Sequence, residues 1–470
     1  MSMSSWWKSL LPVLVASCSQ PSEPGAPDAS APVGFPAPQV AGTAETDALA
    51  NNPARCGQPS HVWLRSDELG TTVSRTEPVH NTADYLDGLA AAGDLTLPNA
   101  PFYDAKVTTI TYRTQDRGVM LEATALVAWP FGLPRDAPPA PVLLVLHGTQ
   151  GFTDGCSLDR DATGKLLASY FATLGYVVVA PDYLGLKASG PPTGFPHPYL
   201  VGQATAIAAL DAVRATGRTP PDEMDDVVVS PRVVMLGGSQ GGHAALWVDR
   251  LAPYYARELT LLGGVATVPP ADLLGQAERA LTELVDATGN VIAVLGASAP
   301  WYGLGSRLGE VFRSPYDVDI PAALAASCDP TDGIPTEGQL TDVFQPQLLT
   351  AASSGNLAND PFGCLFVENG LTTTSIPRLQ DDANDYGLLV ILGENDQLVH
   401  TPIERAAYAE LCNAGVPLTY LECAGAGHTQ ATSWALAEIA DFLEARVNGE
   451  TFTPQCTVSA PSTCRGTPTP

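Results

Sequence analysis

A serine hydroxyl becomes a useful nucleophile only when a base takes its proton, and the turn that exposes it must be free of obstructing side chains. Gly237-Gly238-Ser239-Gln240-Gly241 meets the second condition. It reads G-x-S-x-G, follows an apolar strand-like run at 232–236 and precedes a helical run at 241–255. In that setting the turn lifts the serine oxygen above a sheet edge. It also points the Gln240 N–H, at a helix N-terminus, toward a developing oxyanion. The chemistry expected is acyl transfer, with Ser239 as nucleophile.

The base and its orienting acid should follow the serine in the order acid, then histidine. Of the seven histidines, His400 and His428 lie well downstream. His428 sits in the loop Ala424-Gly425-Ala426-Gly427-His428, directly after a strand pattern at 418–423, and is the expected base. His400 follows an acidic loop and reads as a surface or supporting residue. The strand at 387–393 runs into Glu394-Asn395-Asp396, where Asp396 is the expected acid and Glu394 its rival. A second oxyanion donor should leave the loop His147-Gly148-Thr149-Gln150-Gly151. The Thr149 N–H is expected in that role, with Gln150 as the alternative. His147 reads as a structural residue, and His243 as a packing or substrate-side residue.

These groups need a frame. Unbroken Val, Leu and Ile runs at 141–147, 176–180, 232–236, 261–268, 387–393 and 418–423 read as strands covered on both faces. They alternate with helical stretches at about 161–174, 200–216, 241–255, 402–414 and 433–447. This is a βαβ succession around a mainly parallel sheet flanked by helices, an α/β fold. Before it, 106–114 and 119–129 read as a hairpin joined at Gln115–Gly118, whereas 56–100 has no clear period. Residues 271–385 interrupt the alternation for longer than an ordinary crossover and read as an inserted helical cap or lid. Leu273, Leu274, Leu281 and Leu284 are its candidates for lining an apolar substrate site.

The 470 residues include 50 acidic and 23 basic side chains, a net charge of −27. Phosphate binding needs clustered Lys and Arg, so nucleic acid is not an expected partner. The hydrophobic share, 45%, is enough for a large core. No CxxC pair is present, and Asp159–Gly164 is an incomplete calcium loop because Tyr170 stands where a bidentate Glu is needed. No metal or cofactor is expected.

Residues 1–17 read as a signal peptide, with Lys8 before the apolar run Leu10 to Ala16. Val15-Ala16-Ser17-Cys18 resembles a bacterial lipobox, in which Cys18 would be lipidated and would attach the protein to a membrane. Residues 18–55 are rich in Pro, Ala and Ser and read as a tether. Setting Cys18 aside leaves eight cysteines, enough for four disulfides in an exported chain. Closeness in sequence suggests Cys412–Cys423, Cys456–Cys464 and Cys328–Cys364 as pairs.

Together the site residues resemble the α/β-hydrolase superfamily. HGTQGFTDGC (147–156), APDYLGL (180–186), HPYLVGQATAIAALDAVRA (197–215) and GGSQGGHAALW (237–247) are similar to the secretory lipase family. The resemblance implies an α/β-hydrolase core at 56–270 and 386–470 and a carboxylic ester as the small-molecule or lipid substrate. It also implies Ser239, Asp396 and His428 as triad, and Thr149 and Gln240 as oxyanion donors. Competing readings are a serine peptidase on the same fold, a feruloyl, acetylxylan or polyester hydrolase, and a catalytically silent binding lipoprotein.

Overall fold

Ten strands form one sheet in the order β1-β3-β4-β6-β5-β7-β8-β9-β10, with β2 paired to β3 off the main path. They are β1 (Thr72–Arg75), β2 (Val79–Asn81), β3 (Asp104–Asp116), β4 (Val119–Phe131), β5 (Ala140–Leu146), β6 (Val177–Pro181), β7 (Val229–Gly238), β8 (Thr260–Thr267), β9 (Gly387–Gly393) and β10 (Leu418–Cys423). From β6 through β10 all neighbours are parallel, and β1 to β4 add an antiparallel flank. The computed structural model describes residues 34–40, 49, 56, 61–92, 98–379 and 385–468. By their contacts, Phe35–Pro470 make one unit.

The parallel strands lie between two apolar layers. Alternating side chains go to opposite faces, so Val142, Leu144 and Leu146 join one core cluster and Leu143 the other. α1 (Ala83–Ala92) and α2 (Ala162–Thr173) precede α3 (Gly202–Gly217) and α4 (Gln240–Tyr255), which lie on the first face. Ala204, Ala206, Ala208, Ala209 and Ala212 keep α3 thin enough to sit close to its neighbours. Its Arg214 is fully buried, with Nη1 2.7 Å from Asp211 and Nε 2.6 Å from Glu258.

Between β8 and β9 the chain runs through α5 (Leu273–Thr282), α6 (Ala287–Ser298), α7 (Tyr316–Ala326), α8 (Leu340–Val343), α9 (Pro346–Ser353) and α10 (Gly363–Asn369). Asp272 caps α5 by accepting the Gly275 N–H at 2.8 Å. α5 and α6 meet at a bend of 113°. After β9 come α11 (Thr401–Asn413), then α12 (His428–Trp434) and α13 (Leu436–Val447) behind β10.

The 56–100 region, without a period in sequence, supplies the short exposed strands β1 and β2 and helix α1. The signal segment 1–17 and Cys18 lie outside the described residues. Within 18–55, Val40 and Leu49 are buried, and the Gln39 N–H donates to Glu258 at 2.7 Å. Gly34, Ala37 and Gln39 are exposed.

Four disulfides form, but none of the three pairings suggested by sequence closeness is among them. They are Cys56–Cys364, Cys156–Cys328, Cys412–Cys456 and Cys423–Cys464. The first two tie the 271–385 interval to distant parts of the chain. The last two fasten the C-terminal segment to α11 and β10. Proximity along the chain misleads here because the folded chain places Cα atoms 172 and 308 residues apart within 5.2 and 5.6 Å.

Candidate active site

Ser239 stands between β7 and α4 with φ 55° and ψ −120°, a conformation that costs a non-glycine residue about 1–3 kcal/mol. The turn exists because its neighbours have no side chains. A Cβ at Gly237 would lie 2.0 Å from the Gly241 carbonyl oxygen, and one at Gly241 would lie 1.9 Å from that of Leu146. The Ser239 N–H donates to the Thr267 carbonyl at 2.9 Å, which pins the turn to β8.

Asp396 leaves the end of β9 and is buried. Its Oδ1 accepts the N–H groups of Leu398 at 2.9 Å and Val399 at 3.0 Å. The remaining oxygen, Oδ2, lies 2.7 Å from His428 Nδ1. That bond holds the proton on Nδ1 and turns the Nε2 lone pair toward Ser239 Oγ, 3.0 Å away. The base loop is fixed by its neighbour strand: the Asn395 N–H donates to the Ala426 carbonyl at 2.8 Å, and the Gly425 N–H donates to Glu394 at 2.7 Å. Glu394, the rival acid, therefore buttresses the base loop. His400 precedes α11, and its N–H donates to Gln276 at 3.2 Å.

The oxyanion loop rests on a stack of rings. His147 lies against Tyr183 with centroids 4.0 Å apart, and Tyr183 against His197 at 5.8 Å. Tyr183 donates to the His147 carbonyl at 2.9 Å. His147 Nδ1–H donates to the Gly148 carbonyl at 2.6 Å. His197 Nδ1–H donates to the Leu184 carbonyl at 2.8 Å, so its Nε2 accepts from Gln240 Nε2 at 2.7 Å. Burial lowers His147 to about 4 and His197 to about 3, which keeps both neutral. His243, read as a packing or substrate-side residue, is buried in α4 with Nε2 2.8 Å from the Asn369 carbonyl.

The expected oxyanion donors reach the serine turn by different routes. A side chain at Gly148 would come within 4.0 Å of Ser239 Cβ, so the loop carrying Thr149 abuts the serine turn. Gln240 opens α4, where the first amides have no acceptor within the helix. Thr149 Oγ1 lies 2.8 Å from the Tyr199 hydroxyl, which also receives Asn290 Nδ2 at 2.9 Å. Tyr199, Asn290 and His197 were not singled out from the sequence. Tyr199 and His197 lie in the HPYLVGQ motif, whereas nothing in the sequence marks Asn290.

A pocket opens beside Ser239. Leu273, Ala277, Val291, Val294 and Phe366 from the inserted interval give it an apolar wall. Of the four candidate leucines, Leu273 lines it. Leu281 is buried in the core, Leu274 packs against that core, and Leu284 is 44% exposed. Asp159–Gly164 forms a helix entry, with Asp161 capping α2 through the Thr163 N–H at 2.9 Å. Among the described residues no group of three or more His, Cys, Asp or Glu is arranged to hold a metal.

The fold matches that of solved structures. The ligand-bound rice cell wall degrading esterase LipA of Xanthomonas oryzae aligns with a TM-score of 0.65 at 23% identity, over 81% of this chain and 98% of that one. Candida antarctica lipase A in its closed state aligns at 0.60 and 16% identity, over 86% and 85%. The fold is that of an α/β-hydrolase. The secretory lipase family model matches residues 163–308, in keeping with the resemblance read from the motifs. Lipase 4 of Candida albicans is 26% identical over 294 residues, and Lipase 5 of the same yeast 27% over 297. The chain spans 58% and 57% of their respective lengths.

Proposed function

We propose that this α/β-hydrolase is an exported serine hydrolase that cleaves carboxylic esters, an esterase or lipase working through an acyl-enzyme. The observation that carries the reading is the unbroken chain Ser239 Oγ to His428 Nε2 at 3.0 Å and His428 Nδ1 to Asp396 at 2.7 Å. In this reading His428 takes the Ser239 proton as the oxygen attacks the ester carbonyl. The N–H groups of Thr149 and Gln240 receive the oxyanion. His428 then gives the proton to the leaving alcohol, and water drawn through the same base frees the acid. Asp396 holds the ring in its productive tautomer throughout.

The apolar wall contributed by α5, α6 and α10 suits an acyl chain, which favours an ester of a fatty or other apolar acid over a peptide. Four disulfides favour an oxidising compartment, and Cys18 is the proposed lipid anchor.

The test is a p-nitrophenyl ester chain-length series, run beside aminoacyl anilides, on wild type and Ser239→Ala. Ester turnover with no anilide turnover is expected, and Ser239→Ala should lower kcat by about 10⁴–10⁶. Anilide hydrolysis would point instead to a peptidase. Unchanged ester turnover in Ser239→Ala would refute the triad.

A further inference from the structure

The bonds around Tyr199 have a direction. Asn290 Nδ2 can only donate, so it occupies a lone pair of the Tyr199 phenolic oxygen. Tyr199 is 2% exposed, and desolvation raises its pKa, so it keeps its proton. Among the described residues, the acceptor for that proton is Thr149 Oγ1 at 2.8 Å. Thr149 then accepts from Tyr199, and its own hydroxyl proton is left for a third group. Gly148, the preceding residue, lies against Ser239. A carbonyl oxygen under attack by Ser239 is one group that this proton can serve.

We propose that the Thr149 hydroxyl is a third oxyanion donor, supplied with a hydrogen bond by Tyr199, and that Tyr199 and Asn290 are its positioning residues. The proposal rests on the ester-hydrolase reading above and adds a donor to the two backbone amides. Hydrogen bonds in series polarise one another, so the Asn290–Tyr199–Thr149 chain makes the last hydroxyl a better donor than an isolated one. It also gives the inserted interval a part in the reaction. α6 holds Tyr199 twice, through Asn290 and through Ser298 Oγ, which donates to the Tyr199 carbonyl at 2.6 Å. Leu200 next to it has φ 57°, a left-handed conformation for a non-glycine residue, and the Gly202 N–H beyond donates to Asn369 Oδ1 at 3.0 Å. Three residues of the insertion thus grip one short stretch of chain that faces the oxyanion loop.

The experiment compares kcat and KM on one p-nitrophenyl ester with the inhibition constant of an aryl trifluoromethyl ketone. Such a ketone adds Ser239 Oγ to its carbonyl carbon and leaves a tetrahedral oxyanion. The full-length variants are Thr149→Val, Thr149→Ser and Tyr199→Phe, each checked for an unchanged melting temperature. Thr149→Val should lower kcat about 10- to 100-fold with KM within about 3-fold, and should weaken the ketone by a similar factor. Thr149→Ser should stay within about 3-fold of wild type, because it keeps the hydroxyl. Tyr199→Phe should move kcat and ketone affinity together by about 3- to 10-fold, because it leaves the Thr149 hydroxyl in place without its partner. Thr149→Val within about 2-fold of wild type in kcat would overturn the proposal, given that loss of a donor costs far more. So would Thr149→Ser falling as far as Thr149→Val, or a loss of kcat with ketone affinity unmoved. Ser239→Ala separates the two levels. If it is inactive while Thr149→Val is normal, only the third donor fails; if it is active, the reading of the whole site fails.

Discussion

Asp396 and His428 are positioned from within two neighbouring strands, whereas Thr149 is positioned from outside its own. β9 and β10 pair in register from Leu388–Leu418 to Gly393–Cys423, and the loops beyond them bond to each other through Asn395, Glu394 and Gly425. The loop after β5 relies on side chains from elsewhere: Tyr183 and His197 beneath it, Tyr199 and Asn290 beside it, and the Cys156–Cys328 bridge at its far end. In the proposed mechanism the acid–base half is therefore positioned by the sheet, and the oxyanion half by residues 271–385. Damage to that interval should lower the rate through the oxyanion half alone, and damage at the sheet edge through the acid–base half alone.

Within this contrast the largest effect expected is at Asp396. Asp396→Asn keeps the shape but favours the wrong tautomer of His428, and kcat should fall by about 10⁴. Steady-state kinetics with a melting curve checks this. A comparable fall in melting temperature would mean that the carboxylate serves the fold more than the reaction.

Two disulfides offer a direct contrast. Removing Cys156–Cys328 (Cys156→Ser with Cys328→Ser) should cost about 2–4 kcal/mol of stability. It should also lower kcat about tenfold, because small displacements of an oxyanion donor are costly. Removing Cys412–Cys456 should cost similar stability by denaturant titration and change kcat less than about 2-fold. Equal kinetic effects of the two would erase the distinction between the halves. A milder probe is Ala277→Leu, which adds volume to the α5 wall of the pocket. Turnover of long acyl esters should drop about tenfold relative to short ones, a pocket-filling effect of one to two methylene groups.

The same contrast explains what the sequence disclosed. β5 through β10 were legible because each holds a run rich in Val, Leu or Ile, and Ser239, Asp396 and His428 because each lies in the loop that follows such a run. The hairpin of β3 and β4 was legible from its short turn, observed at Arg117-Gly118. β1 and β2 were not, since three or four exposed edge residues have no pattern to read. Glu394 and Asp396 differ in role through burial and bonding, which two acidic letters in one loop do not reveal. Tyr199 and Asn290 are 91 residues apart and meet only because the 271–385 interval folds back onto the segment before α3. Disulfide partners and oxyanion supports alike are long-range matters of topology.

The smallest effect concerns the hinge between the two halves. Glu404 on α11 is buried, with its oxygens accepting the Ala271 N–H at 2.8 Å and Gln276 Nε2 at 2.9 Å. It joins the start of the insertion to the helix behind the acid loop. Desolvation pushes its pKa up to about 8, against the pull of those donors. The folded state thus holds a proton that the unfolded chain releases near pH 4.3. Between about pH 4.3 and 8 the folded state binds more protons, so this group makes stability fall as pH rises through that window, and the loss is complete above it. Glu404→Gln cannot titrate, and it sets one amide group against the Gln276 amide. It should be less stable than wild type at pH 5 by about 1 kcal/mol, the worth of one hydrogen bond. By pH 9 that gap should close or reverse, because wild type then buries a charge and the variant does not. Thermal melts at pH 5, 7 and 9 read the difference. A gap that stays constant across all three would mean that Glu404 is ionised in the fold and held by its donors, and that the hinge between insertion and acid loop is insensitive to pH.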